Sequence, residues 1–381
     1  MVKLKKGHYT LKTLFAVLLA SMATPGFADI QVSRKPVDVG AYEMVYNNDH
    51  QSILVATTQD RNVEGGLVYE LDAKTLNVIH TIETGKKPFG AAINNKTHTA
   101  YFGGSIDGCL IAVDIDTGKV KGIVSLVPQM QRAETKGKPT EPRRQNAQAR
   151  GTKPAGEMKI HDDNRPPAPR ELAVDEQTNT VYVSGVNRKD SVLWVVDGGS
   201  LVVKQTLHGL GKLNTGLAID NDNHRLYTSN GDGEFITIDS QNNSILSRTK
   251  IVADDQEHLL MNISLDKKGH RAFVSDNKAA EILVVDTTNG KVIHRINVPE
   301  SIGVLFNSQR NEIFAAHRND GTVSIIDGRN YEVLSTLRLP AHPNSFALST
   351  SGDALYVSVK QDSAHDKPTI LPDDVVRIAL N

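Results

Sequence analysis

The sequence predicts an all-β protein, a seven-bladed β-propeller whose ring is closed by the N-terminal strand joining the last blade. Three observations lead there. One phrase recurs: an apolar strand ending in Asp, a polar turn, then a second strand. It is written "GLVYELDAKTLNVIHTI" (Gly66–Ile82), "CLIAVDIDTGKVKGI" (Cys109–Ile123), "EILVVDTTNGKVIHRI" (Glu281–Ile296) and "GTVSIIDGRNYEVLSTL" (Gly321–Leu337). The aspartates Asp72, Asp114, Asp197, Asp239, Asp286 and Asp327 follow one another at 42, 83, 42, 47 and 41 residues, and the 83 contains a long Pro-rich insertion. Self-similarity at this period marks an array of supersecondary units. Finally, the last unit is one strand short, and a spare strand stands before the first.

The chain begins with a segment of different character. Lys3, Lys5, Lys6 and Lys12 precede the apolar run Leu14–Ala20, and Gly26 and Ala28 stand at the −3 and −1 positions of a cut before Asp29. This pattern predicts a secretory signal peptide over 1–28 and an exported product. The apolar run is too short to span a bilayer. With the four lysines removed, the net charge moves from −1 to −5. No global field advertises nucleic acid or a membrane surface. Cys109 is the one cysteine in 381 residues, so no internal disulfide can form and stability must come from the core.

Residues 29–381 read as one propeller domain. Each unit holds four strands, exemplified by Gly216–Arg225, "RLYTSN" (Arg225–Asn230), "EFITID" (Glu234–Asp239) and Ser244–Val252, with Asn, Asp and Gly in the turns. The Asp that closes strand three accepts backbone N–H groups in an Asx-turn. Gly118 and Gly290 give those hairpins their backbone freedom. First strands are expected near Ala41, Phe89, Glu171, Thr215, Met261, Ile302 and Ser345, which makes seven blades. The seventh lacks an outer strand, and Ile30–Val37 supplies it, joining both termini in one blade.

The segments "TVYVSG", "RLYTSN", "RAFVSD" and "ALYVSV" resemble YVTN-type repeats of exported propellers. Longer blocks ("KKPFGAAINN", "PRELAVDEQTNTVYVSG", "VLWVVDGGS", "LMNISLD", "NKAAEILVVDT", "VLFN", "HPNSFALS") resemble YncE-like periplasmic proteins of that family, from Gly40 to Leu380, with a departure at Val127–Ala168. The resemblance implies single-stranded DNA as a ligand to consider.

One face of a propeller collects the connections from strand four to the next blade and the loops between strands two and three. Here that face gathers Lys86, Lys87, Phe89, Arg170, Arg188, Lys189, Lys212, Asn214, His317, Arg318, His342, Asn344 and Lys360, the expected ligand-binding residues. The same two loop sets include His258–Asn262 and Asp276–Lys278. The opposite loops, "INNKTHT", "DNDNHR" and "DKKGHR", read as ordinary polar hairpins. The insertion 128–169 has seven prolines, nine Lys/Arg and five Asp/Glu, too little apolar surface to fold alone, and it emerges on the ligand face.

No P-loop, nucleophile elbow or His-Glu metal helix appears. His317 and His342 fall short of a metal site without a third ligand. Glu43 and Glu171 lie near the axis, where lactonase propellers hold a metal. The sequence therefore reads as a non-enzymatic binding protein without cofactor or metal; the resemblance implies a periplasmic place and single-stranded DNA as candidate ligand, which local cationic charge would hold, with Phe89 as a stacking face. An envelope-protein docking scaffold and a metal-dependent lactonase-type hydrolase are the alternatives.

Overall fold

The computed structural model describes residues 31–60, 62–127, 165–254, 256–362 and 371–380. The signal-peptide segment, most of the insertion and residues 363–370 lie outside them.

The strands run in chain order from β1 (Val32–Pro36). Blade one is β2 (Ala41–Asn47), β3 (Ser52–Thr57), β4 (Leu67–Asp72) and β5 (Val78–Glu83). Blade two is β6 (Gly90–Asn94), β7 (Thr99–Gly104), β8 (Cys109–Asp114) and β9 (Lys119–Ser125). Blade three is β10 (Ala168–Asp175), β11 (Thr180–Val186), β12 (Val192–Asp197) and β13 (Val202–Leu207). Blade four is β14 (Leu217–Asp220), β15 (Arg225–Ser229), β16 (Glu234–Asp239) and β17 (Ser244–Lys250). Blade five is β18 (Leu260–Asp266), β19 (Arg271–Asp276), β20 (Glu281–Asp286) and β21 (Val292–Asn297). Blade six is β22 (Gly303–Asn307), β23 (Glu312–His317), β24 (Thr322–Asp327) and β25 (Val333–Arg338). Blade seven is β26 (His342–Leu348), β27 (Ala354–Lys360) and β28 (Asp374–Ala379), completed by β1.

Each blade is a four-stranded antiparallel sheet, seven in all, and the innermost strands pack against one another in a closed ring. Closure is as the strand count requires: β1 pairs β28 with Val32 opposite Ile378 and Pro36 opposite Asp374. No helix among the described residues is long and apolar enough to cross a membrane.

Stability lies between the blades. Second and third strands are buried on both faces, and outer strands are exposed along much of their length. The core is accordingly cut into wedges. One joins Leu54, Phe102 and Ile111 between blades one and two. Another joins Phe314, Leu355 and Ile378 between blades six and seven. Cys109 packs in the first of these as a small apolar side chain.

The repeated aspartates do what the turn chemistry requires. Asp72 Oδ1 accepts from Lys74 N at 3.1 Å and Thr75 N at 2.7 Å, and Asp286 Oδ1 accepts from Thr288 N at 2.8 Å. Asp114, Asp197, Asp239 and Asp327 do likewise. Such bonds stabilise the ionised carboxylate. Asp197, bonded by Lys204 and by Ser200, is accordingly held far below the usual range.

The hub alternates. The pairing of β2, β10, β18 and β26 with their neighbours is interrupted by a bulge near its start, whereas β6, β14 and β22 pair without a break. Each regular inner strand brings a glycine against the next bulge. A Cβ at Gly90 would collide with the Arg170 carbonyl oxygen, and one at Gly303 would lie 2.8 Å from that of Asn344. The bulges place Tyr42 with Glu43, and Arg170 with Glu171, at the axis.

Candidate functional site

The expected ligand residues fall into three groups. Phe89, Arg170 and Lys360 meet around the channel. The Arg170 guanidinium lies 4.4 Å from the Phe89 ring centre, Tyr42 packs on Phe89 at 4.0 Å, and Lys360 Nζ sits 4.0 Å from the Tyr42 ring. This cation–aromatic ladder already engages Phe89 with two neighbours. A second group is held by polar partners: Arg318 donates to Asn344 Oδ1 at 3.3 Å, and the Arg318 carbonyl is 2.7 Å from His342 Nδ1. His342 Nε2 meets Asp362, while His317 is buried between Ser301 and Ser324, so the two imidazoles have separate partners. Asn214 is buried, and its Oδ1 accepts from Thr228.

The cations differ in availability. Lys87 is buried and donates to the carbonyls of Thr58 and Asp60 at 2.8 and 2.9 Å. Lys360 is buried in an ion pair with Asp373 at 2.6 Å. Lys86 faces Asp107, and Lys212 faces Asp232 at 3.2 Å. Arg188 and Lys189 project into solvent.

At the axis, Arg170 stands between Glu43 and Glu171. Desolvation by the channel wall pushes the Glu43 carboxyl up to about 7, against the pull of Arg170 and Ser345. Desolvation and the Glu43 charge push Glu171 up as well. An acid whose folded pKa exceeds its unfolded one binds more protons when folded, so stability falls as pH rises from about 4.5 to about 7. Comparing Glu43→Gln with the parent by urea melts at pH 5 and pH 8 should show the variant gaining about 1–2 kcal/mol relative to the parent at the higher pH, screening by channel water included. Parallel profiles would remove the desolvated carboxyl from the account.

A different group carries metal chemistry. On blade five, His258 lies in the connection leading to β18, Asp276 ends β19 and Glu281 begins β20. These side chains each bring a ligand atom within 4.8 Å of the others', the one such group of three or more among the described residues. The register explains their meeting: Leu260 pairs with Asp276, and the β18 bulge follows immediately. Asp276 is fully buried. Its Oδ1 accepts the N–H groups of Leu259, Lys278 and Ala279 at 3.0, 2.9 and 3.2 Å, which fixes Oδ2 2.6 Å from His258 Nδ1. His258 Nε2 is 2.7 Å from Asp254 Oδ1. Burial works against the imidazolium, but the two carboxylates outweigh it and hold its pKa above the ordinary value. Glu281 is set by Arg295 at 2.5 Å.

Beside this cluster opens a cavity of about 180 Å³ lined by Lys212, Asp232, Lys250, Asp254, Gln256 and His258, among others. Lys250 donates to the Asp232 carbonyl at its rim. One imidazole and two carboxylates are hard N and O donors suited to a divalent cation. The expectation of a protein without catalytic machinery is therefore corrected: a compact His/Asp/Glu group of catalytic type is present, on the face expected to bind ligand.

No family model matches the chain. Among curated proteins it is 44% identical to YncE of Salmonella typhimurium (strain LT2) over 368 residues, 96% of each chain. It is 46% identical to YncE of Escherichia coli (strain K12) over 376 residues, 98% of this chain and 97% of that one. The chain belongs to the YncE family. Solved structures place the YncE-family fold among wider propellers. Kuenenia stuttgartiensis hydrazine synthase superposes with a TM-score of 0.66 at 12% identity, covering 89% of this chain and 95% of that one. The Cps50 (Swd1) propeller domain of Myceliophteria thermophila gives 0.64 at 11%, covering 92% and 100%. At such identities the likeness concerns architecture alone.

Proposed function

We propose that this YncE-family chain is a metal-dependent hydrolase of the lactonase type, acting in the periplasm at the loop-face rim of blade five. The observation that carries this reading is the convergence of His258, Asp276 and Glu281 beside a small polar cavity. A divalent cation there would polarise a substrate carbonyl and acidify a bound water. The chain's own residues supply the rest. The three backbone N–H groups on Asp276 Oδ1 orient the carboxylate before any ligand arrives. Asp254, at the cavity wall and within hydrogen-bond reach of His258, is placed to take a proton from an attacking water. Lys212 and Lys250 offer positive charge to a carboxylate or hydroxyl on the substrate. The cavity suits a small ester or lactone, not a polymer.

The polyanion reading draws its support from exposed Arg188 and Lys189. It loses weight where Lys87 and Lys360 are held by buried partners and where Phe89 is covered by Tyr42 and Arg170.

The test is a metal titration followed by assay. Chelator-stripped protein should take up about one equivalent of Mn²⁺ and then open members of a panel of γ- and δ-lactones in a metal-dependent way. Uptake below a tenth of an equivalent, or turnover indifferent to chelator, would remove the hydrolase.

A further inference from the structure

The opposite face carries a second cluster that the hydrolase reading does not use. It lies where the lower rims of blades one and two meet. His50 stands in the β2–β3 turn, His98 in the β6–β7 turn, and Asp116 in the β8–β9 turn. Two imidazoles from neighbouring blades aim at one carboxylate oxygen: His50 Nε2 is 3.4 Å from Asp116 Oδ1, and His98 Nδ1 is 3.0 Å from it. Four ligands at about 2.0–2.1 Å around a tetrahedral zinc ion stand about 3.3 Å apart, so both separations match edges of that tetrahedron.

The outer partners fit the same chemistry. A metal-bound imidazole characteristically gives its other nitrogen to a carboxylate. His50 Nδ1 is 3.1 Å from Glu70 Oε1, and His98 Nε2 is 3.7 Å from Asp49 Oδ2. Glu70 is itself buried and anchored, by Ser52 Oγ at 2.6 Å and by His80 at 2.8 Å. Both rings are thus backed by acids on the side away from Asp116. The two imidazoles do not bring ligand atoms within 4.8 Å of each other as they stand; closing that third edge takes a ring rotation at the half-exposed His98, with water in the fourth position.

We propose that His50, His98 and Asp116 form a second metal site, for an imidazole-preferring divalent ion of the zinc class, that clamps the lower rims of blades one and two. It is distinct from the blade-five group in face and in donor set: two imidazoles and one carboxylate instead of one and two. Zinc here would add a metal link between two blades that already meet through their apolar wedge and through polar contacts such as Asn48 N to Asn95 Oδ1, and its binding energy would add to their cohesion.

The experiment uses the full chain carrying His258→Ala, which removes the loop-face imidazole. Zinc titration of the chelator-stripped protein should show about one equivalent bound, and Co²⁺ should give the visible spectrum of a four-coordinate ion. Adding His98→Asn or His50→Gln should weaken zinc binding roughly tenfold to a hundredfold and abolish the Co²⁺ bands. Asn tolerates the left-handed backbone of position 98, where φ is 50°. Asp116→Asn, in an exposed turn, provides an independent loss. The exposed His208→Ala, remote in sequence, should change nothing. Absence of bound zinc in the His258→Ala protein, or zinc held equally by the His98 and His50 variants, would overturn the site.

Discussion

The Asp276→Asn protein is expected to fold, to keep its melting temperature within a few degrees of the parent, and to lose metal-dependent hydrolysis by at least about 100-fold. The amide oxygen can take over the three backbone N–H bonds that Oδ1 now accepts, which is why Asn is the informative substitution. Alanine at this fully buried position would leave those N–H groups without an acceptor and confound stability with function. What Asn cannot supply is the negative charge opposite His258. Glu281→Gln should behave in the same direction, and the two together should fall little further than either alone, because ligands of one ion act as a unit. The measurement is initial rate against Mn²⁺ concentration, with bound metal quantified in parallel. Full activity in both single variants would show that the cluster is an ordinary ion-pair network. Unchanged metal content with lost turnover would move the catalytic role from ligation to proton transfer.

The second large effect concerns the seam of the ring. Asp373, just before β28, is buried, and its Oδ2 accepts from Gly40 N at 2.8 Å, Ala41 N at 2.9 Å and Lys360 Nζ at 2.6 Å. Its Oδ1 accepts from Gln361 N at 2.7 Å. One carboxylate therefore ties the end of blade seven to the start of blade one. Asp373→Asn strands the Lys360 ammonium in a buried site where, among the described residues, the Tyr42 ring is its other neighbour. Breaking one side of a buried pair costs about 3–5 kcal/mol, and that loss should appear in the urea midpoint. Removing both charges is another matter: Asp373→Asn with Lys360→Met should recover most of the loss. A single variant within about 1 kcal/mol of the parent, or a double variant worse than the single, would show the seam to be held by apolar packing alone.

The blades were legible because six of the seven repeat the same turn chemistry: Asp72, Asp114 and their counterparts each close a third strand and each cap the following turn. The closure was legible by counting, since Ile30–Val37 had no partner other than the open edge at β28. The chemistry was less so. His258 and Asp276 lie in the two loop sets read as one face, but Glu281 opens the strand "EILVVD" and looks like any strand residue. Their meeting depends on the Leu260–Asp276 pairing and the bulge after it, which residue spacing does not encode. The cations show the reverse. Lys87 and Lys360 have the right type and the right loop for a ligand, and only the fold shows the carbonyls and the carboxylate that hold them. The lower-rim group was hidden in turns such as "INNKTHT", ordinary until two blades are set side by side.

The alternation at the hub gives the ring a grammar of two-blade words. Blades two and three, four and five, six and seven each pair a smooth inner strand with a kinked one, and blade one, also kinked, stands outside the scheme beside blade seven. An odd-membered circle cannot alternate all the way round, so the mismatch must fall somewhere, and it falls where the chain's two ends interlock. Lengthening or shortening this propeller by couplets preserves that arrangement; a lone smooth blade inserted at the seam would make the circle even and erase the misfit, whereas one inserted elsewhere would put a second misfit among joints that have no seam to absorb it.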